Sequence, residues 1–125
     1  MLYLSLCYRE KGLFDLVEAV ATVNARLRAK GLAKRVQLDV AGKFYLADEE
    51  AEFNERIGQA DLNDSQGPIV VYHGFADEPK KHKLFAQADA FVLPSYYEFE
   101  AHPVSLVEAM AHGLPIIATR WRILP

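Results

Sequence analysis

The sequence predicts an α/β fold, a doubly wound parallel sheet of about five strands with helices on both faces. Three observations predict it. Short apolar runs at residues 2–6, 36–41, 69–72, 89–93 and 114–118 have the length and near-continuous hydrophobicity of buried parallel strands. Segments of helical character lie between them, so strand and helix alternate along the whole chain. Glycine and proline stand at the joints, at Gly12, Gly31, Gly42, Pro94 and Gly113, and right-handed crossovers then wind the elements into one sheet.

The first strand, residues 2–6, runs into a loop that carries Arg9, Lys11 and Gly12. From Leu13, the apolar positions Leu13, Leu16, Val17, Val20, Val23 and Leu27 recur at helical spacing, and Lys30-Gly31 supplies a cation and a C-terminal glycine. Residues 36–41 form the second strand, with Gly42 as a tight turn. Residues 47–60 read as a charged, exposed helix and 61–67 as a polar loop. The third strand, 69–72, ends in His73-Gly74-Phe75. Helix 79–88 turns Leu84, Phe85 and Ala88 inward and Lys80, Lys81 and Lys83 outward. Strand 89–93 is stopped by Pro94, Pro103 suits a first helical position, and His112-Gly113 closes that helix before the last strand.

At 125 residues the chain is expected to form a single domain with a moderate core. A hydrophobic fraction of 51% and a charged fraction of 25% are those of an ordinary globular protein. The net charge of −3 argues against nucleic acid as a partner. The single cysteine, Cys7, excludes an internal disulfide and leans toward a cytoplasmic location. No run approaches the length of a membrane span, and no signal peptide is evident.

The densest chemistry lies in residues 94–115. The backbone N–H groups of His102, Pro103's neighbour Val104, and Ser105 fall at a helix N-terminus on the carboxyl edge of the sheet, a corner suited to phosphate. Glu100 precedes the helix and Glu108 lies within it, so they share no helical face. Glu108 could hold ribose hydroxyls, as acidic residues of dinucleotide folds do. The plainer alternative makes Glu108 a solvated helix residue and Glu100 a helix-start acid favoured by the dipole, and spacing alone favours it.

The wording around the two glutamates adds to this. Pro94-Ser95-Tyr96-Tyr97-Glu98, then Glu100 and Glu108 with seven residues between them, then Glu108-Ala109-Met110-Ala111 and Gly113-Leu114-Pro115-Ile116-Ile117-Ala118-Thr119, resembles the donor-site signature of family-4 glycosyltransferases. The resemblance runs from Leu2 to Leu124 and corresponds to part of that family's C-terminal, donor-binding domain. It implies a Rossmann-like half of a GT-B fold and a retaining hexosyl transfer from a UDP-sugar or GDP-sugar to an unknown acceptor, without a metal or other cofactor. It also implies that residues 1–125 are one truncated donor-binding domain lacking the acceptor-binding domain, inactive in transfer by itself. Self-association through truncated edges is a further expectation.

By the same resemblance, Lys11 contacts the donor pyrophosphate as a mobile point charge. Glu100 lies near the donor sugar, where it balances charge in an oxocarbenium-like transition state rather than acting as a nucleophile. Glu108 holds the ribose; His102, Pro103, Val104 and Ser105 offer mainly backbone; Gly42 and Phe75 are candidates for the nucleobase pocket, or else a turn glycine and a core aromatic. The chain departs from the family at Leu6, where many members carry an arginine, and Arg9 is a candidate to supply that charge. It departs again at Ala101, where glycine is usual.

The four histidines, His73, His82, His102 and His112, lack metal-ligand spacing in sequence. No Walker-type loop and no Gly-x-Gly-x-x-Gly occurs, which removes the usual support for ATPase and dehydrogenase readings. Ser95 and Ser105 lack a nucleophile-elbow context. A receiver-like domain would need an acidic cluster at the strand ends, whereas Asp39 lies within a strand. A non-catalytic sugar-nucleotide-binding module and a sugar-nucleotide epimerase of the same fold are the alternatives.

Overall fold

A computed structural model describes residues 1–122 and 124. Five parallel strands form one sheet: β1 (Leu2–Leu4), β2 (Leu38–Ala41), β5 (Val70–Tyr72), β6 (Phe91–Leu93) and β7 (Ile116–Ala118). Their spatial order is β5-β2-β1-β6-β7. The sheet therefore winds outward in one direction from β1 to β5, then returns to β6 on the other side of β1. That reversal makes the gap between β1 and β6 a topological switch point, where the loops leaving the strands diverge and a ligand crevice forms. Leu2 pairs with both Asp39 and Phe91, which centres β1 in the sheet.

The helices follow the expected alternation. α1 (Leu13–Ala29) and α2 (Ala47–Ile57) meet through Phe14 and Phe53, whose rings lie edge to face at 6.3 Å. α3 (Glu78–Gln87) and α4 (Val104–Ala111) meet through Phe85, on which the ring of His112 stacks at 4.8 Å. Right-handed crossovers place these pairs on opposite faces. Between them lies one apolar core that includes Tyr3, Leu38, Phe53, Phe85 and Phe91. Among the described residues no helix is long and apolar enough to cross a membrane.

Several local expectations change. On α1, Val23 is 41% exposed while Asn24 is buried. The Asn24 amide earns its interior place through hydrogen bonds: it donates to the Val20 and Val36 carbonyls and accepts from the Val36 N–H, each at 2.9 Å. This clamps the helix to the segment entering β2, which itself begins two residues later than the apolar run. α2 ends before Gly58, and its Phe53 is fully buried against Phe44 and Tyr72, so the helix is less exposed than its charge suggests. The polar stretch 61–67 contains half of a small hairpin, β3 (Asn63–Asp64) with β4 (Gly67–Pro68). α3 starts at Glu78 because the Asp77 carboxylate caps the Lys80 N–H at 3.1 Å. α4 starts at Val104, so Pro103 is the cap residue and not the first helical one.

Candidate functional site

A cleft of about 500 Å³ opens on the carboxyl edge of the sheet. Its floor comprises Leu4, Ser5 and Leu6 leaving β1, and Ala41, Gly42 and Lys43 leaving β2. One wall runs from Phe75 to Glu78 and includes Lys81; the other is Val104, Ser105 and Glu108 of α4.

Gly42 sits where three chain segments converge. Its φ is 154°, and a Cβ there would lie 1.8 Å from the Ser5 carbonyl oxygen. Its N–H donates to the Gly74 carbonyl at 2.9 Å, and its carbonyl accepts from the Tyr72 hydroxyl at 3.0 Å. Only glycine permits this approach, so Gly42 determines how closely the loops after β1, β2 and β5 gather under the cleft.

On the α4 wall, the N–H groups of Val104 and Ser105 precede the first intrahelical hydrogen bond, and the helix presents its positive end there. Glu108, one turn further on, accepts from the Lys81 ammonium at 2.6 Å. Lys81 also pairs with Glu78 at 2.9 Å. The hydrogen bonds to Glu108 and Glu78 raise the Lys81 ammonium above its ordinary value, and Lys81 holds the Glu78 carboxyl below the usual range. Lys81 was expected to face outward; it turns into the cleft because α3 packs beside α4, so that a cation on one helix meets a carboxylate on the other. Lys80 is also not free, since its ammonium donates to the His73 carbonyl at 2.5 Å.

Lys11 and Glu100 form a second centre at the switch point, outside the lining of this cleft. Their side chains are 10% and 4% exposed, and Lys11 Nζ stands 2.7 Å from Glu100 Oε2. The ammonium also lies 4.7 Å from the centroid of the Tyr97 ring. A backbone hydrogen bond from Tyr96 N–H to the Glu10 carbonyl, 2.8 Å, ties the two loops together beside the pair. Gly12, with φ 74°, lets the first loop press against Pro94; a Cβ at Gly12 would stand 2.2 Å from the Pro94 carbonyl oxygen. The downstream chain locks the same loop, as Thr119 Oγ1 donates to the Ser95 carbonyl and Trp121 Nε1 to the Tyr97 carbonyl at 2.8 Å.

The structure thus brings Gly42, Phe75, Val104, Ser105 and Glu108 into one cleft and joins Lys11 to Glu100 beside it. Arg9 goes elsewhere: it pairs with Glu52 at 2.5 Å and covers the Phe14 ring at 4.1 Å. Leu6, 42% exposed, lines the cleft floor, where Arg9 does not reach. His102 is exposed and lies outside the lining, and Pro103 is half-buried. Phe75 is 74% exposed, so it is not a core aromatic. Lys43 and Lys81 are the cleft cations that sequence reasoning missed, because neither carries a local pattern distinct from an ordinary surface lysine. Among the described residues no group of three or more metal-ligating side chains converges.

Comparison with known proteins agrees with this architecture. The chain is 31% identical over 114 residues to a Salmonella typhimurium protein that carries the name colanic acid biosynthesis glycosyltransferase WcaL; the match covers 88% of this chain and 25% of that protein. It is 34% identical over 82 residues to the amylovoran biosynthesis glycosyltransferase AmsK of Erwinia amylovora, covering 62% of this chain and 19% of AmsK. A Bacillus subtilis protein named glycosyltransferase EpsF is 39% identical over 93 residues, 74% of this chain and 21% of EpsF. The chain spans about a quarter of the length of the curated relatives it matches, 25% for WcaL. The family model described as glycosyl transferases group 1 matches residues 1–124, and the chain belongs to that family.

Proposed function

We propose that the cleft binds a nucleotide-diphosphate sugar, UDP- or GDP-linked, as the donor half of a retaining, metal-independent hexosyltransferase of family 4. The observation that carries this reading is the placement of Glu108 one turn inside α4, on the same cleft wall as the helix N-terminus and above the Gly42 floor. A ribose held by the Glu108 carboxylate puts the diphosphate against the Val104 and Ser105 N–H groups, where the helix dipole favours negative charge. The base then lies toward Gly42 and Phe75, the latter offering an exposed ring face.

Lys11 and Glu100 serve the other end of the donor. A diphosphate reaching the switch point competes with Glu100 for the Lys11 ammonium, and Glu100 is then placed to balance positive charge on the sugar as the bond to the leaving phosphate lengthens. In a same-face substitution the leaving phosphate assists the incoming acceptor hydroxyl, so no protein nucleophile is needed. Names for the biosynthesis of colanic acid and of amylovoran among the relatives support synthesis as the direction of reaction. The setting is cytoplasmic, where sugar nucleotides are the activated donors. Transfer, as distinct from donor binding, also needs a bound acceptor and a site closed against water.

Calorimetric titration of the chain with UDP, GDP and ADP, without added metal, tests the donor site. Saturable binding of one nucleotide is expected, weakened about tenfold or more in Glu108→Ala, since hydrogen bonds to a charged acceptor are lost. The 2′-deoxy form of that nucleotide should lose affinity for the wild-type chain and not for the variant. Equal binding by wild type and Glu108→Ala would remove the ribose role.

A further inference from the structure

We infer that His82 and His112 form a two-histidine site for a divalent transition-metal ion of the zinc type, on the outer side of the α3–α4 pair and independent of the donor-binding reading. His82 lies on α3 and His112 caps the end of α4; His82 Nδ1 and His112 Nε2 stand 3.4 Å apart. That separation is long for a good N–H···N hydrogen bond. It fits two imidazole nitrogens bound to one tetrahedral ion at about 2.0 to 2.1 Å, whose mutual distance is about 3.3 to 3.4 Å.

The far nitrogen of His112 fixes which lone pair that ring presents to His82. His112 Nδ1 is 2.9 Å from the Glu108 backbone carbonyl, which only accepts, so Nδ1 carries the hydrogen and Nε2 keeps its lone pair. His82 Nε2 stands 3.7 Å from Glu78 Oε2, beyond hydrogen-bond reach, so no hydrogen bond at that nitrogen fixes the tautomer, and the ring is free to carry its hydrogen on Nε2 and turn the Nδ1 lone pair toward His112. In that tautomer two lone pairs point into one gap, and the His112 ring is backed by the Glu108 carbonyl on its far nitrogen, as in histidines that ligate metals. The stack of His112 on buried Phe85, with rings 20° apart, holds its orientation. The His82 side chain is 67% exposed, which leaves the other coordination positions to water. Two protein ligands give an open site of modest affinity, not a closed structural one. An ion there ties α3 to the end of α4, next to Lys81 and one turn beyond Glu108.

Zinc chloride titrated calorimetrically into the chain at about pH 7.5, where imidazole is mostly neutral, is expected to reveal one saturable site. His82→Ala and His112→Ala should each weaken it by at least about tenfold, and His102→Ala should leave it unchanged. Ring-nitrogen NMR of the wild-type chain provides a readout that needs no variant: the His82 and His112 signals should move together as zinc is added, ahead of those of His73 and His102. Equal zinc affinity in all variants, or zinc binding without movement of the His82 and His112 rings, would overturn the assignment.

Discussion

Two lysine–glutamate pairs flank the switch point, and they differ in what surrounds them. Lys11–Glu100 joins loops 89 residues apart with side chains 10% and 4% exposed. Lys81–Glu108 joins two helices 27 residues apart with side chains 18% and 29% exposed, on the wall of an open cleft. The distances are nearly equal, 2.7 and 2.6 Å, so geometry alone would rank the pairs alike. Water decides otherwise. The buried pair has lost hydration that its partner, with the Tyr97 ring beside Lys11, must replace, whereas the open pair keeps part of its hydration and is free to exchange partners.

The largest expected effect comes from splitting the buried pair. Lys11→Ala leaves Glu100 without its partner and should cost about 3 to 5 kcal/mol in urea unfolding, while Lys11→Met with Glu100→Leu should recover most of that loss. A cost below about 1 kcal/mol for Lys11→Ala would show that the loops reopen to water, and the contrast between the pairs would collapse.

The buried side of the comparison also has a pH signature. Burial, with Glu50 adding to it, pushes the Cys7 thiol up to about 12 from its unfolded value near 9, and burial likewise pushes Tyr72 up to about 12. Between those values the unfolded chain has released protons that the folded chain retains. Stability from these groups is therefore complete below about pH 9 and falls as pH rises toward 12, by about 1.4 kcal/mol per pH unit for Cys7 alone. Unfolding midpoints measured across this window for wild type and Cys7→Ala test it; parallel curves would show that Cys7 is not the source.

The smallest effect on stability is expected at the open pair. Lys81→Ala should change unfolding free energy by no more than about 1 kcal/mol, yet alter nucleotide affinity in the titration above, because it frees the Glu108 carboxylate in the cleft. A stability loss as large as that of Lys11→Ala would mean that the cleft wall is a structural element first. Raised salt sharpens the distinction, since it screens the open pair far more than the buried one.

The contrast also separates what was legible in the sequence from what was not. Parallel strands announced themselves through continuous apolar runs, and helix ends through Gly31 and Gly113, both at positive φ. The two glutamates were legible because a long ordered string carries them. Their partners were not. Lys11 was singled out as a phosphate contact, not as the partner of Glu100, and Lys81 read as one of three solvated lysines on α3. Asn24 and Phe53 were hidden for a related reason: one is polar in an interior satisfied by distant backbone, the other is a lone aromatic in a charged helix.

By itself, then, the sequence determined the order of elements, the α/β class and the loop-to-helix corner that bears Glu100 and Glu108, because those follow from local periodicity, backbone stereochemistry and a contiguous motif. Only the tertiary structure decided which charges meet, that Arg9 leaves the cleft for Glu52 while Lys81 enters it, and that His82 and His112 face each other. Pairing across tens of residues depends on how the crossovers stack helices over the sheet, and no local pattern encodes which side chain a given lysine or histidine will find opposite it.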